Sequence, residues 1–298
     1  MRLRRRRAGL ALVAVGVLAL PLAATGAGDA RKPIGEIVFT ATAGGFGQGD
    51  VYLVRADGSH LRQLTDTSIS EQGATWAPDG KSIAVIRLTG KSALYRLFLN
   101  GRKPRLLYKE TSSASGFMLE PTWSPDGRRI AFASTRSGTY AIWTIGLDGT
   151  LTQVTKTFGV SPTWSPNGRR LAYSGLDGIS IIAREGRGNR VLFNTSRPDE
   201  FPVWSPDGKW IAIWHAPVAR HEVGSLDLVN PAGTVRKRLR RGGFVPVAWS
   251  PRGDAVLAVK ATGKPPNSQS QLFIVPLRGG RPRPVAGTYG AGGGSWHR

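Results

Sequence analysis

One phrase is written five times along this 298-residue chain. It reads ATWAPDGKSIAVI around Trp76, PTWSPDGRRIAFA around Trp123 and PTWSPNGRRLAYS around Trp164. It returns as PVWSPDGKWIAIW around Trp204 and VAWSPRGDAVLAV around Trp249, and the chain finishes in GGSWHR, with a sixth Trp at 296. The intervals of 47, 41, 40, 45 and 47 residues are those of a structural repeat in which each unit is one supersecondary element. Pro and Asp early and Gly late are the residues of a tight turn. Apolar residues at alternate positions follow it: Ile83 and Val85, Ile130 and Phe132, Leu171 and Tyr173, Ile211 and Ile213. A period of two is that of a strand with one face in a core. Ala84, Ala131, Ala172 and Ala212 fall between them and predict a second face approached closely by a neighbouring sheet.

A second phrase follows each first one. DVYLVRADGSHLRQLT is a strand, an Asp-Gly hairpin and a strand, with counterparts in LYRLFLNGRKPRLLY, AIWTIGLDGTLTQVT, ISIIAREGRGNRVLF and LFIVPLRGGRPRPVA. The fifth copy, SLDLVNPAGTVRKRL, is the most degenerate. Each repeat therefore predicts four antiparallel strands, one blade of a propeller. EIVFTAT near the N-terminus matches RIAFAST but has no Trp turn ahead of it, and Trp296 has no strand after it. The expected fold is an all-β, six-bladed propeller over residues 34–298. It is closed by pairing Ser295 and Trp296 beside Ile37–Thr40, which leaves no exposed sheet edge at the seam.

The pattern W-S-P-D-G-[KR]-x-[IL]-A, followed by x-D-G-x-x-x-x-L-T, resembles the TolB-type, or PD40, branch of WD40-like propellers. The resemblance spans about residues 34–298. It implies a six-bladed ring and an exported, envelope-associated protein. TolB itself carries an α/β domain ahead of its propeller, and no stretch of this sequence corresponds to it. Some related propellers are polysaccharide lyases with His-bound metal, and others precede an α/β-hydrolase domain in peptidases.

Residues 1–30 read as a targeting segment. Arg2 and Arg4–Arg7 precede a nearly unbroken apolar run, Ala8–Ala24, and then small residues that suit a peptidase. The alternative is an uncleaved anchor, the one route by which the membrane is expected as a partner, because 17 residues could just span a bilayer. The formal net charge is +22, and removing residues 1–27 would take away five Arg and leave +17. Such a charge favours anionic partners. Export sets nucleic acid aside and leaves an envelope protein or an anionic envelope polymer. The periplasm or cell exterior is the expected location, and a monomer the expected state. With no Cys there is neither a disulfide nor a thiolate chemistry to consider.

The repeated Trp76, Trp123, Trp164, Trp204, Trp249 and Trp296 are structural residues, expected to pack between blades, with the turn Asp side chains capping the turns. Binding needs positions where blades differ. The links between blades should open on one face and set Glu71, Glu120, Asp199 and Glu200 at one axial mouth. Phe117, Phe158, Phe201, Phe244 and Tyr289 should surround it. That rim is a candidate site for a cation or for a cationic, partly apolar peptide segment. The competing expectation is that the aromatics plug the core and the acids pair with Arg. The run Arg236, Lys237, Arg238, Arg240 and Arg241 forms a basic patch on an outermost strand. It either deters edge-to-edge aggregation or docks an anionic polymer. No cofactor, catalytic residue or metal ligand set is expected. His215 and His221 are not at a recognised ligand spacing, GFGQG at 45–49 lacks the Lys of a phosphate loop, and no nucleophile elbow is present. The preferred reading is a non-enzymatic binding scaffold. The alternative is a stand-alone lyase or hydrolase acting on an anionic polysaccharide.

Overall fold

A computed structural model describes residues 34–298 apart from 43–48, 112–115, 194–198, 218–222 and 263–268. Residues 1–30, read above as a targeting segment, His221 and most of the Gly-rich stretch at 45–49 lie outside the described residues. Among those described, 24 strands form six four-stranded antiparallel sheets. Blade 1 joins Ala291–His297 to Glu36–Thr42, Gly49–Arg55 and Arg62–Gln63. Blades 2 to 6 run consecutively from Ser70 to Lys109, Met118 to Gln153, Val160 to Val191, Asp199 to Arg241 and Val245 to Pro284. In each blade the strand that ends in the repeat Trp is axial, and axial strands of successive blades are neighbours around the ring.

The seam closes as the sequence predicts. Ile37 pairs with Trp296, Val38 with Ser295, Phe39 with Gly294 and Thr40 with Gly293. Trp296 Nε1 donates to the Ile34 carbonyl at 2.8 Å, and the Trp76 N–H donates across to Ser295 Oγ at 3.3 Å.

Six apolar clusters fill the six interfaces between blades, one repeat Trp in each. Strand alternation produces this arrangement. Ile130 and Phe132 face blade 2 beside Trp123, while Ala131 and Ala133 face blade 4 beneath Trp164. Two of these Trp also donate to the preceding blade, Trp164 Nε1 to the Thr122 carbonyl and Trp249 Nε1 to that of Val203, whereas Trp204 Nε1 donates to the Gly208 carbonyl in its own turn. A large ring on one sheet fits only because the opposing sheet offers alanine, so side-chain volume is matched interface by interface.

The turns carry their own wiring. In blade 3 the Gly127 N–H closes the turn on the Ser124 carbonyl, with Gly127 in the left-handed region at φ 66°. Asp126 accepts from Ser124 Oγ at 2.6 Å and from the Arg128 N–H at 3.0 Å. Asn167 holds the same two bonds in blade 4. In blade 6 Arg252 takes that place, and Asp254 receives the Ser250 hydroxyl instead.

Candidate functional site

The links between blades open on the face opposite the Trp turns, which we call the loop face. Each axial strand starts there and each breaks register with its neighbour: five at Gln72/Thr75, Leu119/Thr122, Val160/Thr163, Glu200/Val203 and Pro246/Ala248, and the sixth between Ala291 and Gly293, opposite Thr40/Ala41. In four the residue three before the Trp has positive φ: Gly73 at 67°, Glu120 at 54°, Ser161 at 52° and Phe201 at 54°. Such a backbone is strained for any residue but glycine, and a bulge re-aims the side chain it carries. The bulge escapes sequence reading because glycine marks it in only one of the four.

Two of the four rim acids are consumed internally. Glu71, 2% exposed, accepts from Arg87 Nε at 2.8 Å and from the Thr65 hydroxyl. Asp199, 1% exposed, takes both Arg236 terminal nitrogens at 2.9 and 3.0 Å and His215 Nδ1 at 2.7 Å. Arg236 also donates through Nε to Asp227 at 2.8 Å, and Asp227 receives the Ser225 hydroxyl. Glu71 and Asp199 occupy the same place in their blades, five residues before the Trp, and each faces a cationic or basic partner on the adjacent strand. At both, the expected pairing of acids with Arg holds, and neither lines an open mouth.

Glu120 and Glu200 are different. Glu120 sits on the blade 3 bulge and accepts the Ser161 N–H at 2.5 Å. Burial pushes its carboxyl above the ordinary carboxylate value. Hydrogen bonds from Ser161 oppose that, and the Glu200 charge adds to it. Glu200, partly exposed, lies two blades' turn from Glu120 around the axis, on blade 5. The aromatics also divide. Phe117 and Tyr289 are 46% and 59% exposed on the loop face, and Phe158 and Phe201 are half-buried. Phe244 is buried between blades 5 and 6 against Phe273, with Lys260 Nζ 4.5 Å over its ring. It belongs to the core rather than the rim.

The basic patch is likewise not uniform. Lys237, Arg238 and Arg241 are exposed on the outer strand of blade 5, with Lys237 Nζ 4.2 Å over Trp210. Arg236 turns inward to Asp199 and Asp227, and Arg240 donates to the Gly280 carbonyl. This inward Arg could not be foreseen from VRKRLRR. Its partner acid lies 37 residues earlier, on the axial strand of the same blade.

His215 meets a carboxylate, but through a hydrogen bond, and a guanidinium covers that carboxylate. Among the described residues no three His, Asp or Glu side chains converge as metal ligands. A cleft of about 420 Å³ between blades 2 and 3 is lined by Asp79, Arg96, Trp123 and Asp126, on the turn side and away from the rim.

A six-bladed ring whose blades are built on one repeated Trp turn is a repeat-built β-propeller. The model of the PD40 family, described as the TolB beta propeller domain, matches residues 83–253, more than half of the chain, and the chain belongs to that family. TolB from Acinetobacter baumannii superimposes with a TM-score of 0.72 at 18% identity, covering 88% of this chain and 66% of that one. A putative TolB from Agrobacterium tumefaciens does so with a TM-score of 0.66 at 20% identity, covering 87% and 90%. An oligogalacturonate lyase in complex with manganese shares the fold with a TM-score of 0.60 at 14% identity, covering 85% and 74%. An uncharacterized protein of Agrobacterium fabrum is 31% identical over 106 residues, so the match spans about a third of either chain (35% and 34%).

Proposed function

We propose that this chain is an exported binding scaffold of the bacterial envelope, and that its loop face receives a cationic, partly apolar segment of another envelope protein. Membership of the TolB propeller family and likeness to two TolB-type structures support the scaffold reading. The observation that carries the choice of face is the pair Glu120 and Glu200. Among the described residues neither carboxyl forms a salt bridge, and their axial strands start on the face where Phe117 and Tyr289 are exposed. A Lys or Arg inserted there would meet two carboxyls in a partly desolvated setting, where charge pairing is stronger than in water. The aromatic faces would cover its apolar neighbours.

A photocrosslinking residue at 117 or 289 in intact cells tests this. It should capture a defined envelope protein that is not captured from position 191 on an outer strand, and Glu120→Gln/Glu200→Gln should abolish the capture. Equal capture from all three positions, or capture indifferent to the double substitution, sinks the reading.

A second reading, a lyase acting on an anionic polysaccharide, draws on the likeness to the oligogalacturonate lyase fold and on the Asp199–His215 contact. In its favour, the Asp would orient the imidazole. Against it, Arg236 occupies the carboxylate that a metal would need. Chain cleavage of oligogalacturonate with added manganese, lost in His215→Ala, would decide for it.

A further inference from the structure

Blades 2 to 6 each send two segments to the turn face, the Trp turn and the hairpin between the third and outer strands, and blade 1 sends its hairpin. The Trp turns read PDGK, PDGRR, PNGRR, PDGK and PRGD, and the hairpins include NGRKPR, EGRGNR and RGGRPR. Cations outnumber carboxylates on this face, and their side chains are exposed: Arg128 and Arg129 in blade 3, Arg169, Arg170 and Arg187 in blade 4. The acids that are present stay close to their own turns. Asp57, Asp79, Asp126, Asp148 and Asp207 each accept a backbone N–H two residues on. Blade 4 replaces that Asp with Asn167 and blade 6 with Arg252. The loop face is closer to balance in its described residues: Asp66, Asp177 and Glu200 are set against Lys91, Arg136, Lys156 and Arg241, and Glu71 and Asp199 are already paired with Arg87 and Arg236. The ring is therefore polar along its axis.

The chain joins the ring on the basic side. Blade 1 is the one blade whose Trp turn is replaced by two chain ends. Glu36 pairs with His297 there, and the Gly35 carbonyl accepts from the Ala56 N–H at 3.0 Å. The residues before Ile34 include an apolar run at 8–24 behind five Arg. Residues 25–33 can reach at most about 30 Å when fully extended. A bilayer that holds the apolar run is thus within one tether length of the turn face, and that face carries the Arg side chains.

We propose that the turn face docks on the headgroups of an anionic bilayer, with the loop face left to other partners. This does not depend on the scaffold reading, which concerns the opposite side of the ring. Basic residues brought near anionic lipid add attraction cooperatively, and salt screens it over about 10 Å.

The full chain is sedimented with vesicles of phosphatidylcholine alone and of phosphatidylcholine mixed with phosphatidylglycerol. The apolar N-terminal run contributes equally to both, and Arg2 and Arg4–Arg7 favour the anionic vesicles alike in parent and variants, so the change in the ratio of the two binding constants from parent to variant reads the face. At low ionic strength the ratio should be at least about tenfold and should collapse with added salt. Arg128→Glu/Arg169→Glu/Arg187→Glu should lower the ratio by at least about tenfold. Lys237→Glu/Arg238→Glu/Arg241→Glu removes the same charge from the outer edge of blade 5 and should leave the ratio within about twofold of the parent. Thermal melts confirm that each variant is folded, and the corresponding Gln variants replace any that is not. A parent ratio near one overturns the proposal. So does equal loss in the two triple variants, which would make net charge rather than the face responsible. Retention on immobilised polyphosphate as strong as on the vesicles, and lost in the same turn-face variant, would assign the face to soluble polyanions instead of lipid.

Discussion

Glu120 is a single residue whose placement is costly to the fold. Its backbone is held at φ 54° and its carboxyl is lifted first by burial, then by Glu200. A carboxyl with a raised folded-state value favours folding most below its ordinary value and loses that contribution as pH rises through the folded one. Glu120→Gln should therefore raise the melting temperature at neutral pH, and the gain should disappear as the pH falls below 4.5, the unperturbed value. A pH series of melts on both proteins checks this. A constant difference across the range would mean that the strain, not the charge, matters. Asp199 is the opposite case. It is fully enclosed by Arg236 and His215, so Asp199→Ala leaves a guanidinium without its carboxylate and should cost about 3–5 kcal/mol in denaturant unfolding. Asp199→Ala/Arg236→Met should recover part of that loss, since an apolar pair removes the orphaned charge.

At the scale of the element, the Trp turn is a small circuit built from Ser, Asp and Gly. The Ser124 hydroxyl and then the Arg128 N–H hold the Asp126 carboxyl below its ordinary value. A depressed value gives stability that is present above 3.8 and is lost as the pH falls through the folded-state value. Blade 4 supplies the natural control, because Asn167 makes the same bonds without a charge. Asp126→Asn should keep most of the stability and remove this part of the acid sensitivity. Asp126→Ala should lose about 1 kcal/mol at neutral pH, since the Arg128 N–H then lacks its acceptor and the Ser124 hydroxyl keeps only the Arg129 carbonyl. Chemical denaturation at neutral and acid pH separates the two variants. The axial bulge is the other recurrent element, and it was invisible as a pattern. The repeated Trp and Gly of the turn announce themselves by identity, whereas Gly73, Glu120, Ser161 and Phe201 share only a backbone angle.

Across the whole molecule the determining feature is circular closure. Trp296 fills the interface between blades 6 and 1 among Leu257, Ile274 and Phe39, and His297 lies 5.4 Å from the Trp76 ring. Trp296→Ala should cost about 3–5 kcal/mol. Removal of residues 291–298 should be worse still, because it strips blade 1 of its axial strand and bares the edge of Glu36–Thr42. Loss of a single cooperative melt, with aggregation at the exposed edge, is the expected result. An unchanged melt would contradict the closure itself.

Blade number, strand phase, the seam and the Trp interfaces were all legible in the residues, because each depends on a pattern that repeats locally: a turn of fixed chemistry and a period of two. The fates of the acids were not. Glu71 and Glu200 look alike in the sequence, yet one is buried against Arg87 and the other is left partly exposed, close enough for its charge to act on Glu120. Likewise Arg236 reads as a member of a surface run and is instead the partner of Asp199. Pairing of charges depends on which side chains a twisted sheet brings within about 3 Å of each other, a distance set by tertiary geometry and carried by no periodicity. The sequence by itself therefore determined the ring, and only the folded ring decided which of its charges remain available to a partner.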